Sequence, residues 1–173
     1  VKVLATTVLM GVLAAAVPQP ATAAAPVGYY ATAQGRHGAA LKAALHTIIS
    51  TRVTVFSYKK VWDILGETDR DPANPRNVIC LYSRKSVPWT RHGSAPADWN
   101  REHVWAKSHG NFGTDPGPGT DVHHLRPTME PINSERGNLD FDESDGPART
   151  EPHSRVDRDS FEPRDEVKGD IYG

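Results

Sequence analysis

The chain has a single cysteine, Cys80, in 173 residues, so an intramolecular disulfide is excluded. Without bridges, the fold must be held by its core or by a bound ion. Cys80 lies in NVICLYS (residues 77–83), an apolar run of strand character, where a buried, inert thiol is expected rather than a nucleophile. A strong charge of one sign is also missing: Lys and Arg number 20 against 21 Asp and Glu, for a formal charge of −1, which excludes a globally basic coat. Long apolar runs are absent beyond the N-terminus, where Lys2, VLATTVLMGVLAAAV and an A-x-A site at Ala21-Thr22-Ala23 predict a secretory signal peptide over residues 1–23. No other segment approaches the roughly 20 apolar residues of a membrane span. An exported, soluble, monomeric protein follows as the expectation, with one domain over residues 24–173.

What is present reads as an α+β fold of mixed helices and short strands. Leu41, Ala44, Leu45, Ile48 and Ile49 recur at helical spacing and predict a helix over 38–50. SYKKVWDIL (57–65) predicts a shorter helix, TDRDPANPRN (68–77) a polar loop, and NVICLYSR (77–84) a strand. WNREHVWA (99–106) reads as a strand, GNFGTDPGPGT (110–120) as a turn-rich connection, and TDVHHLRP (120–127) as a second strand. PTMEPINSERGN predicts a compact helix with Thr128 as N-cap, Pro131 in the first turn and Gly137 as its stop. From Leu139 onward the chain is acidic and weakly periodic. Asp140, Asp142, Glu143 and Asp145 lack the spacing of an EF-hand and read as a solvated loop.

Charge is uneven along the chain. Between Tyr82 and His109, Arg84, Lys85, Arg91, Arg101 and Lys107 outnumber Asp98 and Glu102, whereas residues 140–170 hold eleven acids and five bases. A basic centre permits a phosphate-bearing partner. The order of strand with Glu102-His103, loop, strand with His123-His124 and helix with Asn133 suits phosphodiester hydrolysis, which needs a base, a cation and a donor to phosphate oxygens. An imidazole near its usual pKa of about 6.5 fits the base, which assigns His103. Glu102 and Asn133 offer the hard oxygen ligands that suit Mg²⁺. Adjacent strand residues face opposite ways, so Glu102 and His103 can share a site only if the strand is twisted or bulged there.

NREHVWAKSHG followed by DVHHLRPTMEPINSERGNLDF resembles the endonuclease I family of secreted or periplasmic bacterial nucleases, part of the His-Me finger (ββα-metal) group. The similarity extends from residue 29 through VICLYSR to VKGDI. It implies a ββα-metal site in which His103 is the general base, Glu102 and Asn133 hold Mg²⁺ or another divalent ion, and an arginine grips the cleaved phosphate. Arg126 is the first choice for that arginine, ahead of Arg136 and Arg101, and Asn138 rivals Asn133 for the metal. The resemblance also implies cleavage of DNA, often of RNA too, to 5′-phosphate ends. Relatives of this type continue past the K-G-D-I stretch into a C-terminal helix, so a chain ending Ile171-Tyr172-Gly173 is expected to be truncated.

Plainer roles stand beside these. His123 either lines the site, binding phosphate or orienting water, or only hydrogen-bonds in the core. His92, His109 and His153 are expected at the surface. The four tryptophans could stack on bases, but Trp62 and Trp105 are expected in the core. Two rivals remain: a zinc hydrolase using His103, His109 and His123 with Glu102 as base, which lacks an H-E-x-x-H pattern, and a non-catalytic nucleic-acid-binding module. The nuclease reading calls for no obligate protein partner and no membrane.

Overall fold

The helical spacing near the N-terminus forms α1 (Gly38–Ser50), the range predicted. The computed structural model describes residues 25–148 and 154–172, so the leader assigned to 1–23 and His153 lie outside the described residues. The chain divides into two compact units at Val53 and Thr54. In the first, a 3-10 turn (Ala31–Ala33) precedes α1, none of whose residues is buried.

The second unit opens with α2 (Val61–Thr68), which turns Val61 and Leu65, one helical turn apart, into the core. There follows an antiparallel sheet of β1 (Arg70–Asp71), β2 (Asn74–Ile79) and β3 (Ser86–Pro88), in that order. The expected polar loop over 68–77 is therefore a hairpin. Asp71 Oδ1 accepts the Ala73 N–H at 2.8 Å to make the turn, and the polar residues beyond it form an exposed start to β2. Cys80 is buried just past β2, as expected.

The next three main elements position the site. β4 (Trp99–His103) pairs antiparallel with β5 (Leu125–Met129) in unbroken register, from Trp99 opposite Met129 to His103 opposite Leu125. Between them lie the single turn α3 (Lys107–Gly110) and a 3-10 turn at Pro118–Thr120. α4 (Glu130–Arg136) follows β5 directly, with Pro131 in its first turn and Gly137, at φ 56°, ending it.

Two expectations shift here. The second strand starts at Leu125, not Thr120, because Asp121 Oδ1 accepts the His123 N–H at 3.0 Å and curls the chain before it can extend. Thr128 is a fully buried strand residue rather than a helix cap, since the strand runs to Met129 before the helix begins.

The acidic C-terminal stretch also holds more structure than its sequence announced. β6 (Asp140–Phe141), β7 (Arg155–Val156) and β8 (Ser160–Glu162) form a sheet in the order β6-β8-β7, and α5 (Asp165–Tyr172) follows. Strands this short carry no readable periodicity. One core cluster joins Val61, Leu65, Val78, Cys80, Val87, Trp99 and Leu125; a second joins Leu81, Tyr82, Ile132, Val156, Phe161 and Val167. The architecture is α+β. No helix among the described residues is long and apolar enough to cross a membrane.

Candidate active site

A cavity of about 680 Å³ lies along β4 and α4, lined by Tyr58, Trp62, Asn100, Arg101, Glu102, His103, Lys107, Asn133 and Asn138 among others. Residues of both faces of β4 reach it, yet the strand carries no bulge. β4 pairs with β5 on one edge, and among the described residues its other edge is bridged only at Trp99, by His92. A strand viewed from its open edge shows side chains of both faces. No bulge is therefore needed to bring both residues to the cavity.

Glu102 is 2% exposed. Its Oε1 accepts the Tyr82 hydroxyl at 2.5 Å and Arg136 Nη1 at 3.1 Å. Burial pushes its carboxyl up to about 7, against the pull of Arg136 and Tyr82. The carboxylate is therefore poised between charged and neutral at neutral pH, and a cation in the cavity would favour the charged form. Asn133 donates its Nδ2 to Asn100 Oδ1 at 2.5 Å, which leaves the Asn133 carboxamide oxygen as an acceptor. Glu102 and Asn133 thus offer hard oxygens to one cavity, a donor set that fits Mg²⁺ retaining several waters.

His103 is 6% exposed, and its Nε2 meets the Gly119 carbonyl at 2.9 Å. A carbonyl only accepts, so Nε2 carries the proton and Nδ1 keeps the lone pair. Burial lowers the imidazole to about 4, with the Gly119 bond acting in the opposite direction. The ring is therefore neutral at pH 7, and its pKa departs from the ordinary value expected from sequence. Tyr58 stacks against it with ring centroids 5.8 Å apart.

The three candidate arginines separate clearly. Arg126 donates Nε to Asp69 at 2.6 Å and does not line the cavity. Arg136 is 2% exposed, with Nη1 on Glu102 and on the His103 carbonyl and Nη2 on the Val104 carbonyl. Its place is inside, holding Glu102 and the end of β4, rather than at a substrate surface. Arg101 alone of the three lines the cavity, its guanidinium carbon 3.4 Å from the Tyr58 ring centroid and 3.8 Å from that of Trp62.

Neither histidine of the pair is among the residues that line the cavity. His123 is exposed and bonded through Nδ1 to Asp121 at 2.7 Å, away from the cavity, whereas the His124 ring lies 5.7 Å from that of His103. The three imidazoles of the zinc reading are dispersed: His109 faces Asp140, His123 faces Asp121, and His103 faces Gly119. Trp62 packs against the core as expected, but Trp105 is 59% exposed.

Sequence reasoning missed Asn100, Tyr58, Tyr82 and Gly119. Asn100 had a signal, since it sits two residues before Glu102 on the same strand face. Tyr82 and Tyr58 had none, because their contacts bridge elements far apart in the chain.

Residues 37–172 match the Endonuclease I family. A protein of Bacillus amyloliquefaciens named "Extracellular ribonuclease" is 58% identical over 143 residues, which cover 83% of this chain and 49% of that protein. One of the same name from Bacillus subtilis (strain 168) is 54% identical over 143 residues, with the same shares of each. The chain thus spans about half the length of the curated relatives it matches. No solved structure matches it. On the match across residues 37–172 and these identities, the chain belongs to the endonuclease I family.

Proposed function

We propose that the chain is an exported, Mg²⁺-dependent endonuclease that hydrolyses phosphodiester bonds of DNA and RNA with little regard for sequence. The observation that carries this reading is the convergence on one cavity of a neutral His103 with a free Nδ1, the oxygens of Glu102 and Asn133, and the guanidinium of Arg101. The names of both relatives support RNA as a substrate beside DNA and, with the leader-like N-terminus, support export.

In the reaction, His103 Nδ1 takes a proton from water, and the water oxygen forms a new bond to phosphorus. The bond from phosphorus to the 3′ oxygen breaks, and that oxygen takes a proton from solvent, leaving a 5′-phosphate. Arg101, stacked between Tyr58 and Trp62 and so held in orientation, binds a non-bridging phosphate oxygen. This gives the phosphate grip to Arg101, the one of the three arginines that lines the cavity, with Nη1 on the Tyr58 carbonyl, in place of Arg126 and Arg136. Glu102 and Asn133 would hold the divalent ion, which supplies charge neutralisation at the phosphate and the departing oxygen. Lys107 adds a second cation at the wall, where sequence-blind backbone contacts are made.

Digestion of plasmid and RNA with added Mg²⁺, and its arrest by EDTA, tests the activity. Calorimetry of Mg²⁺ binding tests the ligand set: Glu102→Gln and Asn133→Ala should each weaken affinity by about tenfold or more. Full affinity in Asn133→Ala with loss in Asn138→Ala would move the ligand to Asn138.

A further inference from the structure

We infer that His124 is a positioning residue, holding the Pro118–Thr120 turn so that the Gly119 carbonyl stays aimed at His103 Nε2. The inference rests on His103 being the base, because that carbonyl is what reserves Nδ1 for water.

Two imidazoles read two successive carbonyls of one turn. His103 Nε2 lies 2.9 Å from the Gly119 oxygen, and His124 Nε2 lies 2.8 Å from the Pro118 oxygen. Both rings also pack against Phe112, at centroid distances of 6.1 and 5.9 Å. As for His103, the carbonyl partner requires His124 Nε2 to carry the proton. That leaves His124 Nδ1 as a buried acceptor with no partner. An unpaired buried acceptor is unfavourable, so an apolar ring would fill this space better if packing were its only purpose. What an apolar ring lacks is the donor to Pro118.

The backbone explains why that donor matters. Gly119 lies between two peptide planes and, without a side chain, turns easily about its own bonds. The plane after it is pinned at the Thr120 N–H, which donates to the Gly117 carbonyl at 3.0 Å. Thr120 Oγ1 reinforces this by accepting the Gly117 N–H at 3.0 Å. The plane before it carries the Pro118 carbonyl, which accepts the Asp121 N–H at a long 3.4 Å and His124 Nε2 more closely, at 2.8 Å. Gly119 cannot be replaced by a stiffer residue, since a Cβ there would run into the Gly113 carbonyl. With both planes held, the Gly119 carbonyl has one direction, and the His103 proton has one nitrogen.

The test uses the intact chain with ¹⁵N-labelled histidine and reads the tautomer of His103 by NMR beside steady-state cleavage with Mg²⁺. His124→Phe keeps a ring and removes the donor. It should mix the His103 tautomers, lower kcat by about tenfold and leave KM within about twofold, and His124→Gln, which restores an N–H donor, should recover part of the loss. If His124→Phe fails to fold, Thr120→Val, which removes the side-chain lock of the same turn, should give the same mixed tautomers. An unchanged His103 tautomer with lost cleavage would overturn the positioning role alone. A mixed tautomer with undiminished kcat would uphold the hold on the Gly119 carbonyl and overturn the assignment of His103 as base.

Discussion

Glu102 and His103 are chain neighbours whose burial acts on them in opposite chemical senses. Loss of solvent lifts the Glu102 carboxyl to about 7 and lowers the His103 imidazole to about 4, and in both cases it favours the neutral form. The proposed base is therefore ready across the neutral range, while the proposed metal ligand would have to lose a proton to bind a cation. A base works deprotonated, so its lowered pKa extends activity to acid. We expect the acid limb of kcat/KM to lie near pH 7 when Mg²⁺ is scarce, where protons compete for Glu102. Saturating Mg²⁺ should move it down toward pH 4. A limb that stays at about 6.5 whatever the Mg²⁺ concentration would mean an unperturbed histidine sets it. Motif and order pointed to Glu102, His103 and Asn133, and all three line one cavity. Their environments were not legible, because the Tyr82 hydroxyl, the Arg136 fork and the Gly119 carbonyl come from distant parts of the chain. The choice among arginines turned on the same point: Asp69 claims Arg126, a pairing no local pattern announces.

At the level of elements, β4, β5 and α4 were readable because each is long enough to show its pattern, or carries its own Pro and Gly punctuation. The shift of β5 came from Asp121 capturing the backbone of His123, a turn whose chemistry is written in the sequence but competes with strand propensity. The β6-β8-β7 sheet was hidden, since it depends on side-chain clasps rather than on alternation. Asp157 is the clearest of these: its carboxylate accepts the Ser144 and Ser160 hydroxyls and the backbone N–H groups of Asp159 and Ser160. Those bonds, that of Ser144 first, hold its pKa below the ordinary carboxylate range. A depressed folded-state pKa contributes stability above the unfolded value of about 3.9, and that stability is lost as pH falls through the folded one. Thermal melts of Asp157→Asn should therefore lie below those of the parent at neutral pH and converge with them in acid. An equal gap at all pH values would show that the carboxylate's charge is not what the clasp uses.

Across the whole molecule, near-neutral net charge leaves binding to local cations. Arg101 and Lys107 stand at the cavity in a protein of formal charge −1. Binding to single-stranded nucleic acid should then fall only gently with salt, with a log–log slope between roughly −1 and −2. A much steeper slope would point to a wider basic footprint than the cavity wall. Because the chain spans about half the length of the relatives it matches, activity is best judged on this chain itself. Cleavage of plasmid and RNA by His103→Ala, beside the parent at saturating Mg²⁺ and with circular dichroism confirming the fold of both, addresses the base directly. A loss on the order of 10²- to 10⁴-fold is expected if His103 activates water; cleavage at the parent rate by the folded variant would contradict it.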